Sequence, residues 1–136
     1  MSVERQDFQP EGLVKPPQPY GQAIAVSCSK LLFVAGQLAV DVKGETVGSD
    51  IQSQTAKVYE NLAGALASAN ATFADVVKMT TFLVNADDVA GYCETRFEMF
   101  AKYLPDGPYP TNTMVVIDQL PKGEWLLEIE AIAALP

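Results

Sequence analysis

The sequence predicts an α+β domain in which two helices lie over one face of a mixed β-sheet. Three observations carry this. Short runs rich in β-branched, aromatic and small apolar residues alternate with two longer stretches whose apolar residues recur every three or four positions. Each amphipathic stretch bridges two strand-like runs, and right-handed crossovers put both helices on the same side. The last run is apolar on both of its faces, so both faces need a cover.

Residues 1–18 read as an extended lead-in: Pro10, Pro16 and Pro17, followed by Pro19, leave little room for regular structure. Ala23–Cys28 and Leu31–Ala35 are apolar runs separated by Ser29-Lys30, a spacing that suits a β-hairpin. Asp41 to Glu45 has turn composition, and Gly48-Ser49-Asp50 offers a helix N-cap. Ile51, Thr55, Val58, Leu62, Leu66 and Ala69 then mark one helical face, with Asn70 suited to a left-handed stop.

Val76–Val84 reads as a strand. Asp87 or Asp88 is placed to cap a second helix with Val89, Cys93, Phe97, Phe100 and Leu104 as its stripe, stopped by Pro105-Asp106-Gly107-Pro108. Thr113–Ile117 and Leu126–Leu135 close the chain as strands around a turn at Asp118–Glu124. In the last strand Leu126, Glu128, Glu130 and Ile132 share one face, and Leu127, Ile129, Ala131 and Ala133 the other. Two helices can cover only one side, so a symmetric oligomer that packs the uncovered faces together is expected.

A chain of 136 residues is one domain by size, long enough for a core without disulfide or metal staples. Seventeen acidic against nine basic residues give a net charge of −8, which argues against nucleic-acid binding and against an anionic membrane surface. No histidine is present, which excludes histidine triads, histidine bases and the usual zinc sites. Cys28 and Cys93 form no metal or redox spacing. The polar start MSVERQDFQPEG has no signal-like apolar core and no run is long enough to span a bilayer, so a cytoplasmic protein is expected.

Carboxylates, tyrosines, cysteines and lysines remain as acid–base groups. Glu128 and Glu130 interrupt an apolar strand, where a carboxyl group tends to a raised pKa suited to acid–base work or to orienting water. An edge or interface charge satisfied by neighbours is the structural alternative. Cys93 could be a nucleophile, but its place on an apolar helix stripe also suits a small buried hydrophobe. Gly36-Gln37 ends a strand where a glycine admits close approach of a ligand or backbone, or forms an ordinary bulge. Tyr20 is a lid or a packing aromatic.

Several segments, taken in order, resemble one family. They are Pro19-Tyr20-Gly21-Gln22-Ala23, Leu32-Phe33-Val34-Ala35-Gly36-Gln37, Gln54-Thr55 with Glu60-Asn61-Leu62, Val76–Asn85, and Leu120-Pro121-Lys122 with Glu128-Ile129-Glu130-Ala131-Ile132-Ala133. From about Pro19 onward the chain resembles the RidA/YjgF reactive-intermediate deaminases. The resemblance implies that residues 1–136 form a single chorismate-mutase-like α+β domain, assembled as a homotrimer with ligand clefts between subunits. It further implies hydrolysis of imines, or of enamines that tautomerise to them, with no cofactor or metal. Carried over by position, Glu128 is the water-handling catalytic glutamate, Tyr20 the pocket tyrosine and Gly36 the glycine whose backbone faces the substrate.

Two positions depart from the family pattern. Where the deaminases carry Pro-x-Arg-[Ser/Thr], this chain reads Pro110-Thr111-Asn112-Thr113, so a carboxamide replaces the carboxylate-gripping guanidinium. A helix position often held by a pocket asparagine is Cys93, with Arg96 one turn on. A substrate other than an amino-acid-derived iminoacid, neutral or differently charged, is therefore expected. Two alternatives stay open: a small-molecule-binding protein without catalysis, and a hydrolase using Cys93 as nucleophile. Family members have also been described as ribonucleases, a role the net charge of −8 opposes.

Overall fold

A computed structural model describes residues 2–136; Met1, the first residue of the lead-in, lies outside them. Six strands and two main helices follow in the order β1 (Glu4–Phe8), β2 (Ala23–Ser27), β3 (Lys30–Gln37), α1 (Ile51–Ala67), β4 (Val76–Leu83), α2 (Val89–Tyr103), β5 (Thr111–Val116) and β6 (Leu127–Leu135). The main sheet has the order β3-β6-β4-β5, with β6 antiparallel to both neighbours and β5 parallel to β4. Both helices pack on one face of it. No helix among the described residues is long and apolar enough to cross a membrane.

The last strand separates its two faces as its alternation demands. Leu127, Ile129, Ala131 and Ala133 are buried in the core with Val58, Leu62 and Leu66 of α1 and Met79 and Leu83 of β4. Helix α1 begins where Asp50 accepts a hydrogen bond from the Ser53 amide, and it ends before Asn70, whose φ of 56° is the left-handed stop. Two side chains of this helix fix the sheet. Gln54, fully buried, donates to the carbonyls of Gly48 and Glu124 and accepts from the Leu126 amide, which sets where β6 begins. Asn61 donates to the Leu38 and Val40 carbonyls and so holds the chain that leaves β3.

Three expectations need correction. The runs before and after Ser29-Lys30 do not form a hairpin: β2 pairs with β1, and β3 pairs with β6. The terminal strand, apolar on both faces, offers a more buried partner than β2 could. Part of the lead-in is consequently a strand, with Arg5 anchoring β1 through Asp7 and the Tyr109 carbonyl.

The second helix keeps Phe100 and Leu104 buried and Val89 and Cys93 packed against the core, but not Phe97. Its buried residues are Tyr92, Thr95, Arg96 and Phe100, while Phe97 is 49% exposed. Tyr92 turns inward because its hydroxyl meets those of Tyr59 (3.1 Å) and Thr81 (3.3 Å). Finally, Asp88 holds the N-cap position of α2, as expected, but neither it nor Asp87 makes a side-chain cap hydrogen bond. Asn85 accepts from the Asp87 amide and opens a 3-10 turn at Ala86–Asp88 that leads into α2.

The face of the sheet turned away from the helices is uncovered within the chain. Phe33 is 70% exposed there, with Leu31 on the same strand and Val115 on the opposite edge strand also exposed. The helix-side core, by contrast, is continuous, and Leu62 at its centre has no solvent exposure. Leu62→Ala is therefore expected to lower unfolding free energy by about 2–5 kcal/mol. A urea titration checks this, and a loss well under 1 kcal/mol would mean that α1 is not packed as described.

Candidate functional site

Glu128 lies on the uncovered face of β6, opposite Phe82 of β4. On its other side, the register of β3 shifts between Val34 and Gln37, a bulge that contains Gly36. The Glu128 side chain occupies the space that a larger residue at 36 would need. A Cβ on Gly36 would stand 2.6 Å from Glu128 Oε1 and 2.8 Å from Cγ. Glycine at this position thus lets the carboxyl lie flat against the neighbouring strand.

No hydrogen bond or ion pair holds the Glu128 carboxylate among the described residues. Partial burial, and then the negative charge of Glu130 two residues on, push its pKa above the ordinary glutamate value. A carboxyl with free lone pairs, poised to change protonation, is a group that can accept or give a proton. Beside it on the same face runs a groove of about 400 Å3, lined by Phe33, Ala35, Lys78, Thr80, Glu130 and Ile132.

A second cluster forms between α2 and the edge strand β5. Asn112 pairs in register with Met79, which puts it on the helix side of the sheet, the opposite face from Glu128. The carboxamide orientation that satisfies every neighbour donates to the Met79 carbonyl (3.3 Å) and Thr81 Oγ1 (3.0 Å) and accepts from Arg96 Nη1 (3.3 Å). Arg96 Nη2 donates to Gln18 Oε1 at 3.1 Å and lies 4.0 Å from Cys93 Sγ. The guanidinium rests over the Tyr92 ring at 5.5 Å from its centre.

The lead-in brings Tyr20 to the same edge. Its amide donates to the Gln18 carbonyl, and Gly21 bridges to Thr111 while its amide donates to the Pro110 carbonyl. Of the residues singled out from sequence, Gly36 and Glu128 therefore meet at one corner. Cys93 and Asn112 meet around Arg96, with Tyr20 next to the segment that covers them. Within one chain the two groups sit on opposite faces of the sheet.

Arg96 and Gln18 are the participants that the sequence reading passed over as site residues. Arginine on a helix ordinarily reads as a solvated residue, and only the spacing of 89, 92, 96 and 100 could have turned it inward. Gln18 carried no signal beyond its place among prolines. No group of three or more His, Cys, Asp or Glu that could hold a metal occurs among the described residues.

A mixed sheet with two helices on one face is the architecture of the Rid-type fold. Residues 13–135 match the family model described as Endoribonuclease L-PSP, and the chain belongs to the RidA/YjgF family. A RutC family protein of Pyrococcus horikoshii is 40% identical over 124 residues, covering 90% of this chain and 92% of that one. TdcF of Escherichia coli K12, provisionally named a reactive intermediate deaminase, is 32% identical over 115 residues, 85% of each chain.

Among solved structures, YyfB of Yersinia pestis, a Rid family protein of unknown function, superposes with a TM-score of 0.86 at 33% identity, covering 96% of this chain and 98% of its own. The crystal structure of E. coli TdcF with bound serine gives 0.71 at 30% identity, covering 88% of this chain and 94% of that one.

The environment of Glu128 has a consequence for stability. Its raised pKa means that the folded chain holds this proton more tightly than the unfolded chain does. Stability from this group is therefore full at low pH and falls as pH rises above the ordinary value of 4.5. Glu128→Gln removes that penalty. Thermal melts of both proteins are expected to diverge in favour of the glutamine variant as pH rises from 4 to 7; a difference independent of pH would refute the raised pKa.

Proposed function

We propose that this chain hydrolyses imines, or enamines that tautomerise to them, releasing ammonia and a carbonyl compound. The observation that carries this is the Glu128 carboxyl, held against Gly36 on an open face with no partner among the described residues and a raised pKa. As a carboxylate, Glu128 accepts a proton from water as the water oxygen bonds to the C=N carbon. The nitrogen takes up a proton from solvent, which gives a carbinolamine. The carboxyl then returns its proton to the amino group as the C–N bond breaks and ammonia leaves, while the hydroxyl gives up its proton to solvent and becomes the carbonyl.

The reading is supported by the name that TdcF carries and by the chemistry available to a chain without histidine. The family model's description points instead to RNA cleavage. A net charge of −8 and a groove presenting Phe33, Ile132 and Glu130 favour a small molecule.

The working form in this proposal is a homotrimer. Phe33, Leu31 and Val115 give the open face an apolar surface suited to burial against another copy. The same packing would bring the Glu128 corner of one subunit towards the Asn112 cluster of the next, building the cleft between them. A cytoplasmic setting agrees with two free cysteines.

Ammonia release from freshly generated imines is the direct test. Glu128→Gln keeps the shape of the side chain but cannot carry the proton, and is expected to lower turnover by about 10²–10⁴-fold with the fold intact. Full activity in that variant would remove Glu128 from the mechanism. No acceleration by the unaltered protein across several imines, with ligands still bound, would instead mean a binding protein.

A further inference from the structure

Arg96 is buried at 2% exposure, yet no carboxylate of the described residues lies within ion-pair distance of it. The ion pairs among the described residues are Arg5–Asp7 and Lys57–Glu60, both elsewhere. Its acceptors are neutral: Gln18 Oε1 at 3.1 Å, Asn112 Oδ1 at 3.3 Å and the Cys93 sulfur at 4.0 Å. Its Nε–H has no acceptor among the described residues. Tyr92 beneath it and Tyr59 beyond cannot supply a counter-charge, because burial raises the pKa of both phenols and keeps them protonated.

A desolvated guanidinium without a counter-charge is among the costlier arrangements a fold can hold. An anion from outside would balance it, and the surroundings are built to admit one. Arg96 and Asn112 are fixed on a helix and a strand, whereas Gln18 belongs to an irregular segment at the edge of β5. The Gln18 amide oxygen sits where a carboxylate oxygen would bind. If Asn112 turns its oxygen to accept from Thr81 Oγ1, at 3.0 Å, its NH2 becomes a further donor beside the guanidinium.

We propose that Arg96, with Asn112 beside it, is the anion anchor of the site, and that the carboxylate of an anionic substrate displaces Gln18 from the guanidinium. The charge missing from position 112 is thus supplied from α2. Resting on the hydrolysis proposed above, this makes the substrate class carboxylate-bearing imines or enamines and departs from the neutral or differently charged substrate that Asn112 alone suggested.

Binding of pyruvate and its uncharged counterpart pyruvamide, measured by calorimetry, tests the anchor without relying on turnover. The unaltered protein is expected to prefer pyruvate. Arg96→Met should weaken pyruvate by about 10–100-fold and leave pyruvamide unchanged, since a charge-assisted pair is lost. Gln18→Ala removes the displaced side chain and should tighten pyruvate binding. Glu128→Gln should keep the preference for pyruvate.

Equal affinity for the two compounds in the unaltered protein, or an Arg96→Met variant that binds pyruvate normally, overturns the anchor. If Arg96→Met does not fold, Gln18→Ala decides alone, and unchanged pyruvate affinity counts against the proposal. Anion preference without ammonia release would overturn the hydrolysis and leave the anchor standing; imine turnover unaffected by Arg96→Met would do the reverse.

Discussion

Backbone hydrogen bonding along both edges of β6 is the constraint on which the other elements depend. The final strand enters between β3 and β4, and each neighbour is antiparallel to it. Because its side chains alternate, one insertion sends Leu127, Ile129, Ala131 and Ala133 into the core beneath the helices. The same insertion sends Glu128 to the open face. A slip of one residue would bury both glutamates and expose the aliphatic set, so the pairing register is strongly specified. Gln54 guards that register from α1 by fixing the Leu126 amide just before the strand begins.

The proposed chemistry rests on two charges, and the sheet keeps them apart. The Glu128 carboxyl lies against Gly36 on the uncovered side; the Arg96 guanidinium lies beneath the edge strand on the helix side. If they neutralised each other within one chain, neither would be available to a ligand. Their separation leaves the carboxyl short of donors and the guanidinium short of an anion. In the proposed trimer a substrate between subunits would meet one group from each.

Much of this was legible in the residues. The period of α1, its cap at Asp50 and its stop at Asn70 are local signals, and local signals survive folding. The two faces of β6 were likewise written in its alternation. Strand pairing was not, because Ser29-Lys30 permits a hairpin and only the wider competition for β6 prevents it. The inward part of α2 held by Tyr92 and Arg96 was not legible either, because a tyrosine and an arginine carry weak apolar weight, while three hydroxyl groups meeting in the core turn Tyr92 inward. Motif position singled out Glu128 and Gly36 separately, but that they meet needed the β3–β6 register. Arg96 beside Asn112 needed coordinates, since those residues are sixteen positions apart on different elements.

The central claim is that a working site takes Glu128 from one subunit and Arg96 from another. Subunit complementation tests it most directly. Glu128→Gln and Arg96→Met proteins, each impaired alone, are mixed in equal amounts, dissociated and allowed to reassemble, and ammonia release is measured. Sites that join an intact Glu128 to an intact Arg96 should then form by chance at about a quarter of the interfaces, restoring about that share of activity. If the mixture stays as inactive as its parents although mixed oligomers form, both residues act within one chain and the intersubunit site is wrong.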